Sequence, residues 1–478
     1  MTDSEDQGEI LGSESQLKCL PSRTGVDTNG RDSVSVCEIT MLNLSRREIL
    51  RIGAISVLGT VAGGSWRATG AGSAGSANQA IFIMLQGGPS HLDLWDPKPQ
   101  QGSEIRGPFN PISTRIPGVQ FGELLKHTAQ IADKITVIRS MSHRFTNHIA
   151  GTYVTMTGSD NQPDQDREAH PDDFPGPGAI LTQQQPAIHG VPSSVSLPNW
   201  LSIPGPSNRM PGQYGGFLGS IYDPFVVEGD PSKPDYNPLS LRLPEGMTPE
   251  RLASRISLVE QVDTAANRLE KQLGEKMDSL RRSAFELIVD GRVRRALDLD
   301  REPVSVRDRY GRTKIGQSLL LARRLIEAGV RFVSYNDFNQ RWDTHSAILN
   351  TYRDIVPPME RAYAALVSDL AERGLLDTTM VVNAGEFGRT PTINKDGGRD
   401  HWPNVYSVAL AGGRVKRGFV YGASDNKGAE VSESAVHPSD ILATLWHHLG
   451  VSPRDTIADR LGRPYPISEG KVIQSILS

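Results

Sequence analysis

Five short apolar runs, at 80–85, 135–139, 330–335, 379–383 and 405–410, constrain this 478-residue chain more than any other feature. Each is apolar without strict alternation, the pattern of a strand covered on both faces. Helical segments separate them. Residues 314–328 carry Leu319, Leu320, Ala322, Leu325 and Ile326 on one helical stripe. Residues 357–373 read as a helix with proline at its start, where proline is tolerated, and Gly374 at its end. Ser439-Asp440 opens a helix that runs to Leu449 and stops at Gly450. The polar amphipathic stretch 249–299 reads as two helices. Strand and helix in alternation predict an α/β fold, a doubly wound central sheet with helices on both faces. Glycine and proline, 47 and 32 in the whole chain, concentrate at 158–249. That region reads as long, irregular surface insertions.

Open α/β sheets bind ligands beyond the carboxyl ends of their strands. The residues able to do chemistry fall there. After the first run comes Gln86-Gly87-Gly88-Pro89-Ser90-His91, and after the second His143-Arg144-Phe145-Thr146-Asn147-His148. The third is followed by Trp342-Asp343-Thr344-His345, and the fourth by Gly385-Glu386-Phe387-Gly388-Arg389. Arg399-Asp400-His401-Trp402 precedes the fifth. Imidazole with carboxylate suits Zn, Mn or Fe, and harder ions such as Ca or Mg where carboxylates dominate. Each piece alone also has a plain structural meaning. Asp343-Thr344-His345 reads as a capped turn, Glu386 with Arg389 as an ion pair, and His401-Trp402 as a packed corner. Convergence at successive strand ends favours a site.

Four of these strings resemble a known family. They are Phe82 to His91 with Asp96-Pro97-Lys98-Pro99, Trp342 to His345, Gly374 to Pro391, and Gly398 to Pro403. Together they are similar to the family catalogued as domain of unknown function 1501, from about Leu42 to the end of the chain. That family is placed in the alkaline phosphatase and sulfatase superfamily, whose members hold divalent metals beside a nucleophile at the carboxyl ends of a central sheet. The resemblance implies an alkaline phosphatase-like fold and an exported, metal-dependent hydrolase of sulfate or phosphate esters. The alternative it leaves is a non-catalytic relative that binds an anionic ligand or serves at the cell surface. It implies a metal site from Asp343, His345 and His401, with Glu386 as a further ligand or general base. The superfamily's first-strand aspartate falls on Gln86, and its later Asp-His-Gly on Glu386-Phe387-Gly388. A second metal site is therefore degraded. Counting back from Thr157-Gly158 places the nucleophile position on His148. Arg389 is implied at the reacting group, while Arg144, Arg399 and His91 are candidates for the substrate's oxygens. The metal would be Zn, Mn, Ca or Mg.

The formal charge of −4 offers no basic face suited to nucleic acid. No run of eighteen apolar residues suggests a stable membrane span. Ser45-Arg46-Arg47-Glu48-Ile49-Leu50-Arg51, followed by an apolar run to Ala62 and the small-residue tail 70–80, reads as a twin-arginine export signal. It implies passage through the Tat translocase to the periplasm or beyond. Met41-Leu42-Asn43-Leu44 resembles an ordinary start, so 1–40 is expected to be a disordered leader or a misassigned start. The expected division is thus 1–40, a signal peptide at 41–79 and a catalytic-type α/β domain at 80–478. Cys19 and Cys37, the two cysteines, both precede it, so the domain has no thiol nucleophile or disulfide. Replacing Arg46 and Arg47 together by lysine is expected to keep the protein in the cytoplasm on cell fractionation. Unchanged export of that variant would exclude the signal.

Overall fold

Successive side chains of a strand face opposite sides of a sheet, so a strand apolar at every position must be covered twice. The first run shows this directly. In β1 (Gln79–Leu85), Ile81, Ile83 and Leu85 enter one buried cluster, while Ala80, Phe82 and Met84 enter another. The structure, a computed structural model, describes residues 78–186, 191–202, 209–236, 291–337 and 340–478. The leader, the twin-arginine segment and most of 249–299 lie outside the described residues.

An eight-stranded sheet forms the centre. Its strands are β1, β2 (Ile135–Met141), β3 (Ser194–Leu197), β4 (Phe225–Val226), β5 (Phe332–Asp337), β6 (Thr379–Ala384), β7 (Tyr406–Ala411) and β8 (Phe419–Tyr421). They lie in the order β8-β2-β7-β6-β1-β5-β3-β4. Strand β1 pairs in parallel with β5 on one side and β6 on the other. Strand β7 is antiparallel to both of its neighbours, β6 and β2. The five runs read from sequence are β1, β2, β5, β6 and β7, so the α/β expectation holds with one strand reversed. The glycine- and proline-rich stretch is more ordered than its composition implies. It supplies β3 and β4, which extend the sheet beyond β5. Strands this short take their order from pairing to an existing edge, and composition carries little trace of that.

Helices cover both faces. α1 (His148–Thr157), α2 (Pro177–Gln184) and α5 (Pro438–Leu449) pack on the Phe82 side. α3 (Lys314–Glu327) and α4 (Ile348–Glu372) pack on the Ile83 side. Two helix starts differ from the sequence reading. α4 begins at Ile348, with Pro357 and Pro358 inside it rather than at its start. Burial of Ile348, Tyr352, Ile355 and Val356 outweighs the hydrogen bonds that the prolines cannot donate. α5 begins one residue earlier than expected, at Pro438, capped by His437, with Asp440 closing the box by accepting from the His437 N–H at 3.0 Å.

One buried ionic group fastens α3 to α4. Arg323 is fully buried; its Nε and Nη2 lie 2.9 Å from Asp369 Oδ2 and Glu302 Oε2, and its Nη1 lies 2.6 Å from Glu327 Oε2. Tyr310 donates to the same Asp369 oxygen at 2.9 Å. Removing the cation takes one counter-charge from two buried carboxylates, leaving Glu302 to Arg324 and Asp369 to Arg373. Arg323→Met is expected to lower stability by about 1–3 kcal/mol, measured by urea denaturation. A loss under about 1 kcal/mol would show that the group is a surface-like pair.

Candidate metal centre

Parallel pairing sets the carboxyl ends of β1, β2, β5 and β6 along one edge, and the reversed β7 starts there. Each end delivers one part of the site. The loop after β5 carries Trp342, Asp343 and His345. The turn after β6 carries Glu386 and leads into a two-residue strand, Gly388–Arg389, which pairs antiparallel with His401–Trp402. The segment after β2 leads into α1, whose first residue is His148. Asn147 caps that helix, its Oδ1 accepting from Ile149 N at 2.8 Å and Ala150 N at 3.3 Å.

Asp343 is the hub. Its Oδ1 lies 3.0 Å from His345 Nε2, 3.2 Å from His401 Nε2 and 2.7 Å from Arg389 Nη2. Its Oδ2 lies 3.3 Å from His148 Nε2, off the direction of a hydrogen bond. His345 Nε2 and His401 Nε2 are 3.0 Å apart. Among the described residues, His148, Asp343 and His401 form a group whose ligating atoms lie within 4.8 Å of one another. His345 adjoins it. The far nitrogens of the three rings are all engaged. His148 Nδ1 meets Glu386 Oε1 at 2.6 Å, His345 Nδ1 meets Asp400 Oδ1 at 2.8 Å, and His401 Nδ1 meets the Thr146 carbonyl at 2.6 Å. Those partners are acceptors, so in the neutral rings Nδ1 carries the proton and Nε2 a lone pair. The lone pairs of His148 and His401 and the Asp343 carboxylate then face one small space, with the His345 lone pair at its side. That arrangement repels itself unless a cation or protons fill it. Around an ion bound at about 2.0–2.1 Å, tetrahedral ligand atoms lie about 3.3 Å apart, close to the separations here. The residues fit a divalent ion.

Behind these ligands lies a tightly buried layer. Arg389 is fully buried; Nε donates to Gly88 O at 2.9 Å, Nη1 to Arg399 O at 3.0 Å, and Nη2 to Gly87 O as well as to Asp343. Glu386 is fully buried, its Oε1 also accepting from Gly87 N at 2.7 Å. Gly87 has φ +117°, and a Cβ there would lie 2.5 Å from the Asp343 backbone nitrogen, so only glycine permits this approach. His143 accepts from Phe145 N at Nδ1 and donates from Nε2 to the Glu386 carbonyl at 2.5 Å. Burial pushes its pKa down to about 4, so it stays neutral and fixes the Glu386 turn. The Phe387 ring packs on His401 and His148, with centroids 4.6 and 5.1 Å away.

The structure thus places Asp343, His345 and His401 side by side, with Glu386 behind His148, the expected nucleophile position, which faces Asp343. Four expected positions lie elsewhere. The Gln86 side chain turns away and donates to Ser202 O and Met210 Sδ, both at 3.2 Å. Arg399 is an internal clamp, donating to Asp93 Oδ2 and Ile105 O at 2.8 Å and to Thr390 O at 3.0 Å, with no face left for a ligand. His91 is buried against Gly428 O at 2.9 Å, and burial lowers its pKa to about 4. Arg144 is exposed at the rim over Phe145, donating to Asp160 O at 2.8 Å. Asp400 and the Thr146 carbonyl were not singled out from sequence. Nothing in the string around Asp400 shows that it serves His345 rather than its neighbour His401.

Exposure grades across the site. The His148 side chain is 11% exposed, His401 21%, Asp343 25% and His345 47%, so the centre opens to solvent beside His345. Burial disfavours a charged His148, but the nearby carboxylate of Asp343 and the hydrogen-bonded carboxylate of Glu386 outweigh it and raise its pKa to about 9. Burial also opposes ionisation of Asp343; His148, His401 and Arg389 reverse this and hold it well below the usual carboxylate range. A metal must displace the His148 proton, so proton and metal compete below pH 9. Metal affinity should rise about tenfold per pH unit toward pH 9 and level off above it, read by calorimetry across that range. In His148→Ala that slope should disappear.

Comparison with solved structures finds distant neighbours. Ps i-CgsB, in complex with k-i-k-neocarrahexaose, is 12% identical, covers 79% of this chain and 73% of its own, and superposes with a TM-score of 0.38. The PsFucS1 sulfatase from Pseudoalteromonas sp. is 11% identical, with 86% and 72% covered and a TM-score of 0.34. The phosphonate monoester hydrolase of Agrobacterium radiobacter is 11% identical, with 84% and 77% covered and a TM-score of 0.34. No curated protein matches the sequence. The family model described as "Protein of unknown function (DUF1501)" matches residues 77–477, and the chain belongs to that family.

Proposed function

We propose that this protein is an exported, divalent-metal-dependent hydrolase of sulfate or phosphate esters. The observation that carries the reading is the convergence of His148, His401 and the Asp343 carboxylate at the sheet edge, with His345 Nε2 3.0 Å from both His401 Nε2 and Asp343 Oδ1, each ring held from behind. The reaction class comes from the motif resemblance to the alkaline phosphatase and sulfatase superfamily. A divalent ion bound there supplies the positive charge that a sulfuryl or phosphoryl group needs as charge builds on its oxygens. His148, His345, His401 and Asp343 hold it. Glu386 holds His148 and Arg389 holds Asp343, so both residues set ligand geometry. Arg144 is exposed but donates to Asp160 O over the Phe145 ring, and would have to leave those contacts to meet an anionic substrate.

A second reading has its own support. His148, at the position expected of a nucleophile, lies between Asp343 and Glu386 with Nδ1 already engaged. Held this way, its Nε2 faces the centre as a ligand, a proton carrier or an attacking group. As a metal ligand it leaves attack to water, and without turnover the same centre would serve an anion-binding protein. The deciding experiment is a panel of sulfate and phosphate esters with metal-loaded and chelator-stripped protein. Turnover should appear only in the loaded protein and fall about 10–100-fold in Glu386→Gln, which weakens the support behind His148. Loaded protein that turns over none of the panel, yet binds sulfate or phosphate only with metal present, would replace the hydrolase with the binding reading.

A further inference from the structure

We infer that the centre takes one transition-metal ion rather than calcium or magnesium, and that Asp400 is a positioning residue for it through His345. The inference rests on the metal part of the reading above and not on ester hydrolysis. Calcium calls for six to eight oxygen ligands and magnesium for an oxygen octahedron with several waters. Here His148, His401 and the Asp343 carboxylate face the space and His345 Nε2 adjoins it, 3.0 Å from His401 Nε2, a nitrogen-rich donor set for Zn, Co, Fe or Mn. The three rings are not free to turn this set into another. Each Nδ1 is tied to a different acceptor, at 2.6 Å to Glu386, 2.8 Å to Asp400 and 2.6 Å to Thr146. Such ties fix ring orientation and tautomer and raise the basicity of the ligating nitrogen.

A second ion would need further donors. Gln86 turns its amide nitrogen to Ser202 and Met210, which leaves only its Oε1, buried without a hydrogen-bond partner. The Phe387 ring covers the flank of His148 and His401. The weakest hold is the outermost one. His345 is the most exposed of the three rings, and Asp400 is the side chain that orients it. Asp400 is itself steadied by Asn394 Nδ2 at 3.3 Å and, through its backbone N–H, by Thr390 Oγ1 at 3.0 Å. Its carboxylate is thus placed to choose the nitrogen that His345 presents.

The test uses the full chain, stripped with a chelator and dialysed against an equimolar mixture of Zn, Co, Mn, Mg and Ca. Elemental analysis should find one transition-metal ion per chain and no Ca or Mg. Calorimetric Zn affinity should fall about 10–100-fold in Asp400→Ala. It should largely return in Asp400→Asn, which keeps an oxygen acceptor, and stay at the wild-type value in the nearby control Asp396→Ala. Two ions per chain, or Ca taken up in preference, would overturn the inference about the ion. Undiminished Zn affinity in Asp400→Ala would overturn the role of Asp400. None of these readouts requires turnover, so a centre that loads as described but hydrolyses nothing would count against the reaction alone.

Discussion

The buried guanidinium of Arg389 is the interaction on which the rest of the site depends. Five donors in a rigid fork reach Gly87 and Gly88 after β1, Asp343 after β5, and the Arg399 carbonyl before β7. These segments are distant in sequence and would otherwise be independent loops. Without the cation, the Gly87 and Gly88 carbonyls would be buried without partners and Asp343 would lose its nearest counter-charge. A lysine, with one compact charge, could not satisfy this many acceptors in different directions. Arg389 therefore acts on any ligand through Asp343 and the loop backbones, since its own donors are already used.

From that hub the site is built in layers of decreasing burial. Glu386, Arg389 and His143 form an inner layer, of which Glu386 holds His148 and Arg389 holds Asp343. His148, Asp343 and His401 lie above it, and His345 with Asp400 forms the open side. The ordering has an electrostatic logic. Two carboxylates are brought close together, which burial alone would not allow, because Arg389 and a charged His148 compensate them in the metal-free protein. The same arrangement makes the centre ready for a divalent ion, which would replace the His148 proton and relieve the opposed lone pairs of His345 and His401.

Much of this architecture was legible in particular residues. The continuous apolar run Ala80-Ile81-Phe82-Ile83-Met84-Leu85 can be buried only between two layers of helices, and the structure does this with two separate clusters. Where residues lacked such a signature the reading slipped. Ser194–Leu197 is polar at alternate positions and only four residues long, yet it becomes a strand because β5 offers an unpaired edge. Pro357 and Pro358 suggest a helix start, but the helix runs through them because its earlier turn is buried against the core.

By itself, the sequence determined which strands are buried on both faces, and hence the sheet and the edge along which polar strand-end residues gather. The order of apolar and polar residues is enough for that, because burial of a strand is a local property. Only the tertiary structure decided which of the gathered residues meet. Arg399 and Arg389 are both arginines in the same motif-bearing segment, and both are wholly enclosed, yet only Arg389 touches Asp343. His91 and His148 both follow a strand; one is sealed against Gly428 and the other faces Asp343. Gln86 shares its turn with Gly87, but the side chain leaves the centre while the neighbouring backbone enters it. These outcomes depend on strand register and on the direction each side chain leaves the sheet edge, distances that segments hundreds of residues apart set only when they pack.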